Sequence, residues 1–318
     1  YTIARSRKHI ENYYGTSDMG KFPTRLLPIN LKASIDLKDQ FPPLEEVNKN
    51  IRRLSLAFYS PIKYVRVDKK AEYARRYDQE VKGGKSVFKQ IDREESLIHL
   101  IRINLLKRME SSIHSFTLTL EKLLTQVNVL LEKIEHFDSN LMSENTEEFV
   151  APSIEEIDDL EFESPELAPY LIGNKTKVRI QDMDLIRFTQ DLEADSIFLQ
   201  EILRVSKSID AARDAKLTML KSNYSDKCKN PINGHNKKVI IFTAFADTAE
   251  YLYKNISPWA KQELGLHSAI ITGQRTETTL RGTDGKKFKT DLNSLLTHFS
   301  PKSKERDKVF PEFKEEID

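Results

Sequence analysis

The amino-acid sequence predicts a mainly α protein with an α/β part, in which long antiparallel helices accompany an incomplete parallel sheet. Apolar residues recur every three or four positions through the middle of the chain, which is the period of a helix with one buried face. A strand–helix–strand pattern follows near residues 239–273, and such units form parallel sheets. Chain breakers are scarce, since only 10 of the 318 residues are Gly and 12 are Pro, so the composition favours helices.

The sequence divides into three regions, residues 1–40, 41–230 and 231–318. Charge is distributed unevenly along the chain, as two stretches of it show. Residues 1–100 carry 20 Lys and Arg against 13 Asp and Glu, a net charge of +7, whereas residues 151–200 carry 4 against 12, a net charge of −8. Basic ends can meet phosphates, and ordinary solvated surface is the alternative. The first region is short and irregular, and its alternating run Leu31–Ile35 predicts an edge strand.

The clearest helical segment runs from about Glu94 to His136. The apolar positions that define it are Ile98, Ile101, Leu105, Met109, Ile113, Phe116, Leu120, Leu123, Val127, Leu130 and Ile134. Their spacing predicts one continuous helix of about 60 Å with a single apolar stripe. Such a stripe must be covered, and a second helical pattern over Asp184–Asn223, with Asp182 as its expected N-cap, is the predicted antiparallel partner.

An acidic segment connects these two predicted helices. Glu144–Glu166 contains ten carboxylates and no Lys or Arg. Because like charges repel and little of the segment can be buried, it predicts a mobile linker, with a functional acidic switch as the alternative. The helical region as a whole is interpreted as a mechanical brace, or else as a hairpin that docks a protein partner.

In the last region, residues 231–318, the helical spacing of apolar residues gives way to short apolar runs. Val239–Phe242 is a short β-branched apolar run that follows a loop containing Pro231 and Gly234, as is typical of a buried parallel strand. A helical pattern covers Asp247 to about Leu264, and Leu266–Gly273 predicts a second strand. Strand, helix and strand over about 35 residues predict a βαβ unit.

Several kinds of site are excluded. Gly83-Gly84-Lys85-Ser86 ends like a P-loop, but Gln79 stands where the first glycine is needed,. The single cysteine, Cys228, excludes a disulfide framework and suits a reducing cytoplasm. The seven histidines show no zinc spacing, so no metal site is predicted. Val239–Phe242 is the longest apolar stretch, far short of the roughly 18 residues of a membrane span, so no membrane partner is expected.

One segment of the last region carries a family resemblance. Residues 238–249, Lys-Val-Ile-Ile-Phe-Thr-Ala-Phe-Ala-Asp-Thr-Ala, resemble motif IV of superfamily II helicases, which opens their second RecA-like domain. Leu266–Gly273, which ends in Ile-Thr-Gly, resembles the next strand of that domain. The resemblance therefore implies a RecA-like parallel sheet, and it depends on Val239–Phe242 being an inner strand whose end opens toward a nucleic-acid channel.

Further segments are similar to Swi/Snf-related ATPases. Ala4–Lys8 followed by Leu27-Pro28 resembles the segment after motif III, and both His298–Arg306 and Leu105–Ser112 resemble a bacterial branch of these proteins. The order of the segments implies a piece of an ATP-dependent DNA translocase or helicase. Residues 1–40 would end its first RecA-like lobe, residues 41–230 would form a helical insertion or brace, and residues 231–318 would begin the second lobe.

The resemblance also fixes what this chain is expected to lack. Phosphoryl transfer needs a Walker A loop, a Walker B carboxylate and arginine fingers, which we expect in a longer parent, before Tyr1 and after Asp318. The parent is then a DNA-dependent ATPase that uses ATP and magnesium, and this chain alone binds neither and is inactive. The alternative function is a non-enzymatic helical scaffold or protein-docking module.

Candidate nucleic-acid contacts follow from the resemblance, because ligands of open α/β sheets bind beyond the carboxyl ends of the strands. The residues after the first strand are Thr243, Ala244 and Phe245, and those after the second are Thr272, Gly273 and Arg275. Hydroxyl and backbone N–H groups can bind phosphate without reading sequence, which suits DNA translocation. Phe245 as a core residue and a Thr243 hydroxyl satisfied inside the sheet are the alternatives. Arg5, Arg7 and Lys8 are expected to contact either phosphate or carboxylates at the lobe junction.

Overall fold

The computed structural model describes residues 6–10, 12–13, 22–80, 87–136, 148–150, 176–282, 288 and 290–318. Arg5, the sequence Gly83–Ser86 and all of the acidic segment except residues 148–150 lie outside these ranges. The described residues are mainly helical, as predicted. The helices are α1 (Leu44–Arg53), α2 (Lys70–Tyr77), α3 (Gln90–Ser111), α4 (Ile113–Glu135), α5 (Leu185–Lys207), α6 (Ala215–Lys229), α7 (Ala246–Trp259), α8 (Leu292–Phe299) and α9 (Arg306–Val309).

The predicted apolar stripe forms the main hydrophobic core. All of its members from Ile98 to Val127 are buried, and Leu130 and Ile134 pack against them half-buried. Burial of these apolar side chains contributes to the stability of the helical region. The stripe is shared by two helices, however, and the prediction of one continuous helix is wrong.

The helix is interrupted at Ser112. This residue has an extended backbone, with φ −155° and ψ 147°, and its side chain accepts a hydrogen bond from Ser115 N at 3.0 Å. It is therefore the N-cap of α4, which satisfies one of the free N–H groups at the start of that helix. The apolar period continues across the break, which explains why the spacing of apolar residues alone did not reveal it.

Helices α4 and α5 pack antiparallel, as predicted. Lys207 Nζ lies 2.6 Å from Glu121 Oε1 in the first half of α4, and Ser196 donates to Asn128 at 3.1 Å farther along. Increasing numbers on one helix thus meet decreasing numbers on the other. The predicted partner over 184–223 is two helices, α5 and α6, separated by a turn at residues 208–214.

The expected N-cap of this partner is also corrected. Asp184 caps α5 by accepting from Arg187 N at 3.2 Å. Asp182 lies in the short 3₁₀ turn Ile180–Asp182 before the helix and accepts from Tyr73 OH at 2.9 Å. In the sequence, either Asp182 or Asp184 could cap the helix, and only the tertiary contacts of Asp182 show which residue is the N-cap.

Buried carboxylates tie the N-terminal segments to the helices. Asp195 of α5 accepts from the backbone N–H groups of Ser55 and Leu56, each at 2.7 Å. Asp36 receives the Arg213 guanidinium at 2.5 and 3.1 Å, and this bond lowers the pKa of Asp36 to about 2. Segments far apart in sequence are therefore held by charge-assisted hydrogen bonds.

The strands form three two-stranded antiparallel ladders. β1 (Gln79–Glu80) pairs with β2 (Val87–Phe88), β3 (Glu148–Val150) with β4 (Lys177–Arg179), and β5 (Ala269–Ile271) with β6 (Thr276–Thr278). In the described part of the chain no two strands pair in parallel, so the predicted parallel sheet is not found there. The predicted edge strand at residues 31–35 is likewise without strand structure.

The prediction of the first strand of the βαβ unit is wrong as well. Val239–Phe242 has no regular secondary structure, and Ile240 and Phe242 are 60% and 90% exposed. A buried parallel strand needs neighbours on both edges and cover on both faces, and the described residues supply neither. The helix that follows is confirmed as α7, extended by a π-helical turn to Leu264. β5 lies within the second predicted strand.

The C-terminal segment forms a small separate core around α8. Leu280, Phe288, Leu295 and Ile317 are buried together there. Another small cluster joins α6 to α7. None of the helices in the described ranges combines the length and the hydropathy that crossing a membrane requires.

Candidate nucleic-acid interface

The structure brings most of the predicted contact residues to one cavity of about 560 Å³. It is bordered by the segment 239–245, by one side of α7, by residues 268–273, and by residues of α6, α8 and the C-terminal segment. Five of the six predicted contact residues line it, namely Thr243, Ala244, Phe245, Thr272 and Gly273. The sixth, Arg275, stands just outside. Two loops that are separated by an entire helix in the sequence thus lie close together.

A buried ion pair fixes the loop that leads into α7. Arg108, near the end of α3, is 1% exposed, and its guanidinium lies 2.6 Å from Asp247 Oδ2 and 3.0 Å from Ser115 Oγ. Ser115 in turn donates to Asp247 Oδ1 at 2.8 Å. Both carboxylate oxygens of Asp247 are therefore held by the α3–α4 junction, which fixes the first turn of α7 against the helical core.

Hydroxyl groups extend this junction. Ser111 and Ser112 approach Thr248 Oγ1 at 3.0 and 2.9 Å. Ser111 Oγ also lies 3.4 Å from Thr243 Oγ1. The Thr243 hydroxyl further accepts from Phe245 N at 3.3 Å. This hydroxyl therefore shapes its own loop as well as bordering the cavity.

Phe245 is held as a core residue. The residue is 6% exposed, and the Arg108 guanidinium stacks on its ring with a distance of 4.6 Å to the centroid. A cation over an aromatic face is attracted by the ring quadrupole, more strongly when it is shielded from water. The ring thus anchors the loop, whereas Ala244 beside it is exposed.

Thr272 and Arg275 belong to the tight turn between β5 and β6. Thr272 Oγ1 accepts from Arg275 N at 2.9 Å, and Thr272 N donates to Arg275 O at 2.8 Å. The Arg275 side chain is 41% exposed and pairs with Glu277 at 2.7 Å, with Glu250 at 3.6 Å. A phosphate group at this position has to compete with two carboxylates for the same guanidinium.

The basic segment near the start of the chain has other neighbours. Arg7 donates to Pro23 O at 3.3 Å and stacks on the Phe22 ring at 5.3 Å from its centroid. Both Arg7 and Lys8 are exposed, and no carboxylate in the described ranges pairs with either of them. The expected carboxylate partners at a lobe junction are thus not found for these two residues.

Arg108 and Asp247 are residues of the candidate site that the sequence did not reveal. Arg108 directly precedes the stripe residue Met109, so it stands at the border of the apolar face. A charged residue at such a position is buried only when it is paired. The position of Arg108 at the border of the apolar face therefore indicates a buried pair. It does not show that the partner is Asp247, in the first turn of a predicted helix.

The described residues contain no group of three or more His, Cys, Asp and Glu side chains placed to hold a metal ion. No protein-family model, curated protein or solved structure matches this chain.

Proposed function

We propose that this chain is part of an ATP-dependent DNA translocase or helicase of the Swi/Snf-like superfamily II type. In it, the chain supplies the helical brace and the nucleic-acid-facing start of the second RecA-like lobe. The observation that carries the proposal is the convergence of Thr243–Phe245 and Thr272–Gly273 on one cavity. These are the two loops that motif order assigns to the nucleic-acid backbone.

The chemistry of these loops suits contacts that do not depend on base sequence. Ala244 and Gly273 are exposed, and neither has a side chain long enough to cover the backbone beside it. Backbone N–H groups and the Arg275 guanidinium can bind phosphate oxygens, which are the same at every step along a duplex. Such contacts can be released and remade as a translocase advances.

The helical core gives these loops a rigid support. The Arg108–Asp247 pair joins α3 to the first turn of α7, and Lys216 of α6 donates to the carbonyl groups of Glu110 and Ser111 at the end of α3. In the proposed function, this junction transmits movement between the helical brace and the loop at Thr243. The brace interpretation is favoured over a docking hairpin because the junction contacts the predicted interface.

A non-enzymatic helical scaffold is the second candidate. It is favoured by the exposed and unpaired segment Val239–Phe242, which the helicase resemblance places in a parallel sheet. A scaffold needs no basic groove and no ATPase partner lobe. The two candidates therefore differ in whether the chain binds nucleic acid through the cavity loops.

The test is binding of the full chain to a fluorescein-labelled DNA duplex, followed by anisotropy over a range of salt concentrations. The variant Thr272→Ala/Arg275→Ala is expected to bind more weakly and to reduce the slope of log K against log salt by about one. The double variant Thr125→Ala/Arg204→Ala, with the same charge change on the helical core, serves as the control. Unchanged affinity and slope in the first variant refute the interface, and no DNA binding by the wild type favours the scaffold.

A further inference from the structure

A second cavity, of about 570 Å³, lies on the helical region between residues 63–70 and residues 183–187. It shares no lining residue with the cavity described above. Main-chain contacts hold its two sides together, since Asp184 N donates to Tyr64 O at 2.7 Å and an antiparallel bridge lies beside this bond. The two sides are therefore fixed relative to each other.

More cations than carboxylates line this second cavity. Its basic residues are Lys63, Arg66, Lys70 and Arg187, and its acidic residues are Asp68 and Asp184. Arg66 donates to both carboxylate oxygens of Asp68, at 3.2 and 3.0 Å, and Asp184 is the N-cap of α5. In the described part of the chain, no carboxylate pairs with the side chains of Lys63, Lys70 or Arg187. Three cations are therefore available to an external anion.

Two of these cations converge on one aromatic ring. Lys63 Nζ lies 5.7 Å from the centroid of the Tyr64 ring, and Arg187 Cζ lies 5.6 Å from the same centroid. The two charged groups are therefore no farther apart than the sum of these distances, about 11 Å. An anion midway between them lies within roughly 6 Å of both, inside the screening length of about 8 Å in physiological salt. Both cations thus act on the same anionic group.

The chemistry of this cavity suits the phosphates of a nucleic-acid backbone. Guanidinium and ammonium groups both bind phosphate oxygens. Tyr64, the one aromatic residue of the lining, is 1% exposed, so it cannot stack on a base. Lys70 and Arg187 are exposed, so they can reach the surface of a duplex, whereas a small anion is usually bound in a site that encloses most of it.

We infer that the second cavity is a further contact with the DNA backbone, in which Lys63, Lys70 and Arg187 bind phosphate groups. The inference rests on the proposed function for DNA as the partner, but it uses none of the residues of the interface at 243–275. The helical brace would then hold the duplex as well as support the loops.

An acidic polypeptide is the competing partner. Val67 and Ile186 line the same cavity and are 85% and 76% exposed, and apolar side chains beside cations can also bind an acidic peptide. DNA is favoured because its charges are dense and regularly spaced, so several cations can be neutralised at once.

The experiment measures binding of the full chain to a fluorescein-labelled DNA duplex by anisotropy over a range of salt concentrations. The test variant is Lys63→Gln/Lys70→Gln/Arg187→Gln. The matched control is Lys49→Gln/Arg204→Gln/Lys229→Gln, which also removes three positive charges, at exposed positions outside both cavities. Circular dichroism and the thermal midpoint verify that both variants fold.

We expect the test variant to bind at least about tenfold more weakly at about 0.1 M salt, and to reduce the slope of log K against log salt by about three. The control is expected to stay within about twofold of the wild type, because its cations lie outside the contact. Unchanged binding by the test variant overturns the inference. Equal losses in the two variants also overturn it, because net charge alone would then explain them.

Two further measurements separate this inference from its neighbours. Weaker binding by Thr272→Ala/Arg275→Ala alone refutes the second contact and leaves the proposed interface standing, whereas weaker binding by the test variant alone does the reverse. No DNA binding by the wild type overturns both. A labelled poly-glutamate peptide is the second probe, and if it binds the wild type as tightly as the duplex does and is lost in the test variant, the DNA assignment is overturned.

Discussion

Arg108 supports the loop that leads into α7 at the candidate interface. Its charge is buried and is balanced by Asp247, with Ser115 and the Phe245 ring completing its surroundings. Burying two charges is costly, and the pair is tolerated because each partner compensates the other. Its role is therefore positional, since the pair selects one arrangement of the loop before α7.

Removal of one partner is expected to destabilise the chain strongly. Arg108→Met leaves the Asp247 carboxylate half-buried without its counter-charge, at a cost of about 3 kcal/mol or more in the free energy of unfolding. The measurement is urea unfolding of Arg108→Met, Asp247→Leu and the double variant. We expect the double variant to be more stable than the sum of the single effects predicts, and strict additivity would contradict the pairing.

Glu94 gives a prediction about pH. It is 3% exposed, Oε2 accepts from Ile62 N at 3.1 Å, and burial raises its pKa to about 8. The folded chain therefore holds a proton on Glu94 that the unfolded chain releases above its ordinary value of 4.5. Between about pH 4.5 and pH 8 the unfolded state binds fewer protons, so this group lowers the stability as pH rises, by up to about 1.4 kcal/mol for each pH unit.

Glu94→Gln removes this titration while keeping the shape of the side chain. The variant is expected to gain stability relative to the wild type as pH rises from 5 to 8, which urea unfolding at three pH values can measure. Glu95→Gln, at the exposed neighbouring position, is the control and should follow the wild-type curve. A constant difference between Glu94→Gln and the wild type would refute the prediction.

At the scale of elements, the helical region was predictable, whereas only one of the predicted strands, Leu266–Gly273, contains a strand of the structure. The apolar period identified the residues that α3, α4 and α5 bury, because a helix face repeats regularly in sequence. It did not identify the break at Ser112, since the two helices continue the same stripe. Val239–Phe242 has the composition of a strand, but a strand forms only against neighbours that composition cannot specify.

The same contrast holds for the candidate site. Thr243, Ala244, Phe245, Thr272 and Gly273 were found from motif order, and the structure places all five at one cavity. Sequence spacing could not reveal that Phe245 is buried, that Arg275 is paired with Glu277, or that Arg108 supports the loop. The burial of Phe245 and its support by Arg108 depend on contacts between segments many residues apart. The Arg275–Glu277 pair is local, and it depends on the geometry of the β5–β6 turn.

The break between α3 and α4 can be tested through its cap. Ser112→Ala removes the hydroxyl that accepts from Ser115 N and contacts Thr248. We expect a loss of about 1–2 kcal/mol in the free energy of unfolding. Ser96→Ala, at an exposed position within α3, is the matched control and should change stability by less than about 0.5 kcal/mol. Similar losses in both variants would contradict the capping role.

At the scale of the whole molecule, the proposed function predicts binding without catalysis. Phosphoryl transfer needs groups that stabilise charge on the transferred phosphate, and the sequence contains no Walker A motif. The purified chain is therefore expected to hydrolyse no ATP, with or without duplex DNA. A coupled phosphate-release assay checks this, and DNA-stimulated hydrolysis that persists through further purification would contradict it.

The pairing of Asp36 with Arg213, and the bridge between Asp36 and Asp214, have a kinetic consequence. These contacts close a loop of nearly 180 residues around the helical core,. Helical proteins usually fold in microseconds to milliseconds because their contacts are local in sequence, and such remote closure slows the search. Refolding followed by stopped-flow fluorescence should therefore show that this long loop closes late, well after the first helices have formed.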